Sequence, residues 1–249
     1  MRQKRLTAAD VRPVRSVPWP IGFLLAAAVL GQVVWHGLRP QPVAQMQVLR
    51  PPPEIGVLRV ASLGDPELLA RVLNLWLQFF DVQPGLSIPF RELDYGKVIP
   101  WLERILALDP RGQYPLLAAS HLYAEVPVES QQRQMLEFVY RAFLDDPNRR
   151  WPWLAHAVYV ARYRLHDGQL ALRYAEAVAE RATGPEVPSW AQQLRIFVLE
   201  GLGEIEAAKV LLGGLIESGT IRDPHELRLL ERRLRDLEAR QPAGAKHER

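Results

Sequence analysis

The 249-residue chain contains no cysteine, which excludes disulfide bridges, thiolate metal centres, iron–sulfur clusters and a cysteine nucleophile. It also lacks the phosphate-binding Gly-x-x-x-x-Gly-Lys-Ser/Thr run, the Gly-x-Ser-x-Gly turn and the His-Glu-x-x-His pair, so none of these nucleotide, hydrolase or zinc signatures is present. Alternation at period two, bounded by hairpin signals, is missing as well, and no sheet is expected. Six scattered histidines offer no ligand set. His121 and Glu125 stand four apart on one expected helix, but without a third ligand they read as a polar face rather than a metal site. Neighbouring acids such as Glu204 and Glu206 point to different faces and make no acid–base pair. The chain is therefore read as a non-enzyme with no catalytic residues, metal or cofactor.

Charge is scarce in net terms and unevenly placed. Lys plus Arg is 31 and Asp plus Glu is 28, a net +3. Arg2, Lys4, Arg5, Arg12 and Arg15 face only Asp10 in residues 1–16, a net +4, which leaves −1 for everything else. With 48% hydrophobic and 24% charged residues, the composition matches neither a disordered chain nor a multi-span membrane protein.

Directly after the basic tail, residues 17–38 read VPWPIGFLLAAAVLGQVVWHGL, 22 residues without a formal charge. As a helix they extend about 33 Å, enough for a hydrocarbon core of about 30 Å. Trp19 and Trp35 stand near the two ends, where indoles favour the interface. Three other readings compete. A cleaved signal peptide finds small residues at Ala26-Ala27-Ala28 but only Ile21 to Leu25 as a clean apolar stretch before them. A buried core helix conflicts with apolar residues on all faces and a Pro-rich continuation. A mitochondrial presequence is amphipathic rather than uniformly apolar. An uncleaved single-pass anchor is the preferred reading. By the positive-inside rule the N-terminus stays in the cytoplasm, and the domain after the span is periplasmic or extracytoplasmic, on the inner (cell) membrane.

Residues 39–64 form a Pro-rich linker, with Pro40, Pro42, Pro51, Pro52 and Pro53 favouring a semi-rigid extended spacer. From Asp65 the pattern turns helical: Asp65 is an expected N-cap, Pro66 the first helical residue and Glu67 a first-turn acid. Leu68, Leu69, Val72, Leu73, Trp76 and Phe79–Phe80 continue as an apolar stripe. The apolar triplet Val98/Leu102/Ile105 then recurs as Met135/Val139/Ala142, Ala171/Ala175/Val178 and Ala208/Leu212/Leu215, at offsets of 37, 36 and 37 residues. Asp109-Pro110 recurs as Asp146-Pro147, and Tyr114-Pro115-Leu116-Leu117-Ala118 precedes Trp151-Pro152-Trp153-Leu154-Ala155 by 37 residues. Such a fixed period marks stacked helix pairs.

The segment Leu93 to Pro110, with Asp94-Tyr95-Gly96 at its start and Asp109-Pro110 at its end, resembles the second helix of a tetratricopeptide (TPR) repeat, and Gly203 to Leu212 resembles the family consensus most. The resemblance covers roughly Asp65 to Ser218. It departs from the family in lacking the Trp-x-x-Leu-Gly-x-x-Tyr pattern, in exceeding the usual period of about 34, and in the long loop from Val82 to Glu92. It implies an all-α chain: a TPR-like, antiparallel helix-pair solenoid of about four repeats over 65–222, preceded by one transmembrane helix. A capping helix over 223–240 comes next, with Asp223 as N-cap, Glu226 at the capping-box position, and Leu227, Leu230, Leu234 and Leu237 on one face. A coiled-coil seam is the alternative for those leucines, but it lasts under two heptads. Residues 241–249 read as a disordered tail.

In TPR proteins the first helices line a concave peptide-binding groove. By resemblance that groove is lined here by Tyr114, Leu117, His121, Glu125, Arg149, Trp151, Arg162, Trp190, Gln193 and Phe197. Aromatic anchors with charged margins suit an interaction hot spot; the same aromatics also fit hydrophobic staples at helix entries. Trp153 and Tyr159 read as interhelix core, and the arginines from Arg149 to Arg164 as solvated charges or partners of Asp145, Asp146 and Asp167. The basic-aromatic cluster Asn148 to Trp153 does not mark a nucleic-acid platform on an exported domain. The implied function is a membrane-anchored scaffold binding a protein or peptide partner in assembly of a cell-envelope complex. The alternative is a non-catalytic accessory subunit of a membrane enzyme or secretion apparatus, contacting it through Gly22, Gly31, Gln32 and His36. No oligomeric state is implied.

Overall fold

The computed structural model describes residues 18–38, 48–83, 86–219, 221 and 223–239. The basic tail 1–16, residues 39–47 of the linker and the tail 241–249 lie outside them. The chain divides into two units, Met1–Gln45 and Met46–Arg249. In the first, α1 (Trp19–Leu38) is a helix long and apolar enough to cross a membrane, and none of its residues is buried.

In the second unit the regular structure is helical apart from one hairpin among the described residues. Its helices are α2 (Ile55–Ala61), α3 (Pro66–Gln78), α4 (Tyr95–Leu108), α5 (Tyr114–His121), α6 (Glu129–Asp145), α7 (Pro147–Tyr163), α8 (Gly168–Arg181), α9 (Ser189–Leu202), α10 (Ile205–Glu217) and α11 (Pro224–Ala239). From α3 onward each helix packs on the next, and contacts also run between alternate helices: α4 with α6, α5 with α7, and α7 with α9. The recurring triplets fall on α4, α6, α8 and α10. Every member is buried except Leu215, which is half-buried. A shared register results because each of these helices must turn the same face inward.

Helix ends explain the element boundaries. Asp65 accepts a hydrogen bond from the Leu68 amide at 2.9 Å, the expected cap of α3. Asp94 caps α4 through Gly96 N at 3.0 Å. Asp167 caps α8 through Leu170 N at 2.9 Å, and its second oxygen lies 2.7 Å from Arg133 NH1 on α6. Gly203 closes α9 at φ +84°, a left-handed position that glycine adopts without a Cβ penalty. Glu204 N then donates to Leu199 O.

Two expectations are corrected. The folded unit begins well before residue 65. Leu49 and Leu58 are buried in the core, Trp101 Nε1 donates to Arg50 O at 2.8 Å, and Arg104 Nε donates to Pro53 O at 3.3 Å. Extended prolines leave carbonyls free, and α4 takes up two such carbonyls, at Arg50 and Pro53. The loop from Val82 to Glu92 holds a hairpin, β1 (Val82–Gln83) antiparallel to β2 (Leu86–Ser87), with Val82 opposite Ser87. Two residues per strand are too few to produce a period-two pattern. Glu226, expected at the capping-box position, also reaches a neighbouring helix. Its Oε1 accepts from Ser189 Oγ and Gln193 Nε2, both at 2.6 Å, and so ties α11 to α9.

Two buried clusters result. The larger runs from Leu49 to Val198 and includes Tyr123, Phe143 and Tyr174. The smaller, formed by Ile196, Leu199, Ala208, Leu212, Ile221, Leu230 and Leu237, lies under α11. Leu230 and Leu237 are thus core residues of this unit.

Candidate binding surface

The alternate helices α5, α7 and α9 carry most of the side chains singled out for a groove. Tyr114 and Leu117 are exposed on α5, Trp190 and Phe197 on α9. Trp151 is half-buried on α7, and its ring stands 5.0 Å from Trp190 at 76°, an edge-to-face pair joining the two helices. Such a pair anchors the helix entries while leaving Trp190 47% accessible.

Farther along α7 a second aromatic row runs across to α5. The rings of His121 and His156 lie 3.8 Å apart, the edge of Trp153 meets His121 at 5.9 Å, and Tyr159 and Tyr163 continue the row at 5.0 Å. Trp153 Nε1 donates to Gln113 Oε1, which holds the indole between α5 and α7. Glu125 is not on α5, which stops at His121; it lies on the short 3₁₀ turn Tyr123–Glu125. There its two oxygens face His156 Nε2 at 3.3 Å and Arg164 at 3.0 Å. Burial, then the neighbouring His121, push the His156 pKa below its ordinary value, against the opposing pull of Glu125. Among the described residues no group of three or more His, Asp or Glu side chains is placed to hold a metal ion.

Between α7, α9 and α11 lies a cleft of about 510 Å³, with Tyr159, Tyr163, Leu194 and Phe197 on its apolar wall. Arg162 crosses it and donates to Phe197 O at 3.1 Å and Val198 O at 3.3 Å. The guanidinium passes so close to α9 that a Cβ at position 201 would fall 1.6 Å from Arg162 NH2, so a larger residue there would displace the arginine. Arg233 from α11 closes the far side, bound to Glu200 and stacked on Phe197.

Two of the ten residues do not belong to this surface. Gln193 is buried and held by Glu226, so the amide is consumed in fastening α11. Arg149 pairs with Asp146 at 2.9 Å and lines a different cleft of about 720 Å³ beside Glu103, Arg111 and Arg141. Its neighbour Arg150 is buried, donating to Ala142 O at 2.6 Å and Pro110 O at 3.1 Å, with the expected partner Asp145 at 3.7 Å. Asp167 is taken by Arg133 rather than by the arginines of α7.

The structure adds His156, Tyr163, Arg164 and Arg233, which sequence reasoning did not assign to the surface. It also moves Tyr159 from the expected core to the exposed row. The spacing of 156, 159 and 163, one helical face, was the available signal. Arg233 had none, since it reaches the cleft from another helix, 31 residues beyond Leu202 in sequence. No family model matches the chain, and neither a curated protein nor a solved structure matches it.

Proposed function

We propose that the chain is a membrane-anchored, TPR-like scaffold that binds a protein or peptide segment along α5, α7 and α9. The supporting observation is the run of accessible rings on alternate helices, from Tyr114 through Trp151–Trp190 to Phe197 and Tyr159, beside an apolar cleft. Rigid aromatics contribute large contact areas at small entropic cost, and Arg164, Glu125 and Arg162 supply polar margins. Alternate-helix contacts and the 37-residue register support the TPR-like arrangement, because stacked pairs create a long surface without any catalytic group.

Anchoring by α1, with the basic tail in the cytoplasm and the second unit in the periplasm, makes the partner a component of a cell-envelope complex. Nucleic acid is then not a partner. A cytoplasm-only reporter fused to the C-terminus tests topology: activity there would refute export.

The binding reading is tested in the full-length chain in its native host, with a photo-reactive amino acid at Phe197 and a control at exposed Glu176 on α8. One partner should crosslink from position 197 and not from 176, and disappear with Trp151→Ala plus Trp190→Ala. Equal crosslinking from both positions, or full retention in a double variant of normal circular dichroism, would remove the assignment.

A further inference from the structure

An apolar face at the start of the second unit takes no part in the α5–α7–α9 surface. On α2 and the turn after it, Val57, Val60 and Leu63 are exposed, Leu63 to 94% and at φ +50°. On α3, Leu68, Val72, Leu75 and Phe79 recur at spacings of four, three and four, one stripe of a helix, and each is more than half accessible. Seven large aliphatic or aromatic side chains on two consecutive helices exceed what a monomeric surface ordinarily leaves in water. The nearby acids are already engaged: Asp65 caps α3 and Glu67 pairs with Arg71 at 3.5 Å. Arg59, Arg71 and Trp76 border the stripe, residue types that favour a lipid headgroup region.

The covalent chain says which apolar phase lies within reach. Val48 lines one groove together with Val72 and Trp76. It is only ten residues beyond Leu38, the last residue of α1. Ten peptide units extend no farther than about 36 Å. If α1 spans a bilayer, the start of the second unit is tethered to that bilayer by a chain this short, which raises the effective concentration of lipid around it. A weak apolar contact then suffices, whereas a second copy must first be met by diffusion.

We infer that the α2–α3 face rests on the outer leaflet of the membrane that α1 crosses, with Leu63, Val72 and Phe79 inserted at the level of the headgroups. This rests on the reading of α1 as an anchor.

The test uses the full chain in lipid nanodiscs. The absence of native cysteine allows single-cysteine nitroxide labels at Leu63, Val72, Phe79, Val29 in α1, and Glu176 on α8. Collision with oxygen relative to a nickel chelate should shift at 63, 72 and 79 toward the Val29 value and away from Glu176. Labels at these three positions that read like Glu176, while Val29 reads as lipid-embedded, overturn the inference and leave the anchor intact. If Val29 itself reads as aqueous, the anchor reading falls and the inference with it. Spin–spin broadening at 63 that disappears on dilution with unlabelled chain identifies a second copy as the occupant and also overturns it.

Discussion

Arg233 grips Glu200 through both Nε and NH2, each 2.7 Å from a carboxylate oxygen, while its guanidinium stacks 4.4 Å from the centre of the Phe197 ring. This two-point pair and the Glu226 contacts to Ser189 and Gln193 fasten α11 over the smaller core. Arg233→Ala should cost about 1–2 kcal/mol, the low end for charge-assisted bonds because Arg233 is partly exposed. Amide exchange should quicken in α11 while α4 to α8 keep their protection. Unchanged exchange in α11 would show that leucine burial alone holds the cap.

Gly201→Ala should act through Arg162. The added methyl occupies the position of the guanidinium, so Arg162 swings away and its bonds to Phe197 O and Val198 O are lost. The lost bonds cost about 1–2 kcal/mol, offset by about 1 kcal/mol because alanine replaces a glycine inside α9, so the net destabilisation is small. Arg162→Ala should cost about 1–2 kcal/mol, and the double variant no more than Arg162→Ala alone, since both changes remove the same interactions. Additive effects in urea unfolding would contradict this.

The His121–His156 pair predicts an acid-side loss of stability. The His156 pKa lies below its ordinary value in the folded protein, chiefly through burial, so the unfolded chain binds more protons in the window below about 6.5. Its contribution is therefore complete above that window and is lost as the pH falls toward the folded value. His121, Glu125, Arg164 and Tyr159 surround it. His156→Gln should flatten the decline between pH 7 and pH 5 on the order of 1 kcal/mol per unit at most. An unchanged slope in chemical denaturation would exclude His156 as its source.

Asp167 works in the opposite chemical sense but with the same pH direction. The Leu170 amide, then Arg133, hold its pKa below the ordinary carboxylate range. The stabilisation is present above that range and lost as pH falls through the lowered folded value. Asp167→Ala should cost about 1–2 kcal/mol at neutral pH. Asp167→Asn should recover part of this by keeping the cap, and failure to do so would assign the effect to Arg133.

Much of the architecture was legible because it depends on repetition. Val98, Met135, Ala171 and Ala208 are fully buried on successive alternate helices, and a 37-residue register reports that directly. Asp65, followed by a proline, announced α3 for a local reason: cap and amide are three residues apart. The candidate surface was only partly legible. Tyr114, Trp151, Trp190 and Phe197 emerged from the same register, whereas Gln193 and Arg149 share it and point their polar groups elsewhere.

Helix periodicity and length are properties of a single strand of sequence, so they by themselves determined the apolar helix α1, the helical character of the second unit and its buried stripes. The tertiary structure alone decided which polar groups are spent. Gln193 meets Glu226 from 33 residues away, Arg150 reaches Pro110 across 40, and Trp101 binds the Arg50 carbonyl across 51. Those partners lie on different elements, where no local spacing encodes them. The same distinction holds for the exposed stripe of α3, which reads like a core face. Leu68, Val72 and Phe79 carry the pattern of buried residues, but among the described residues no later helix covers them.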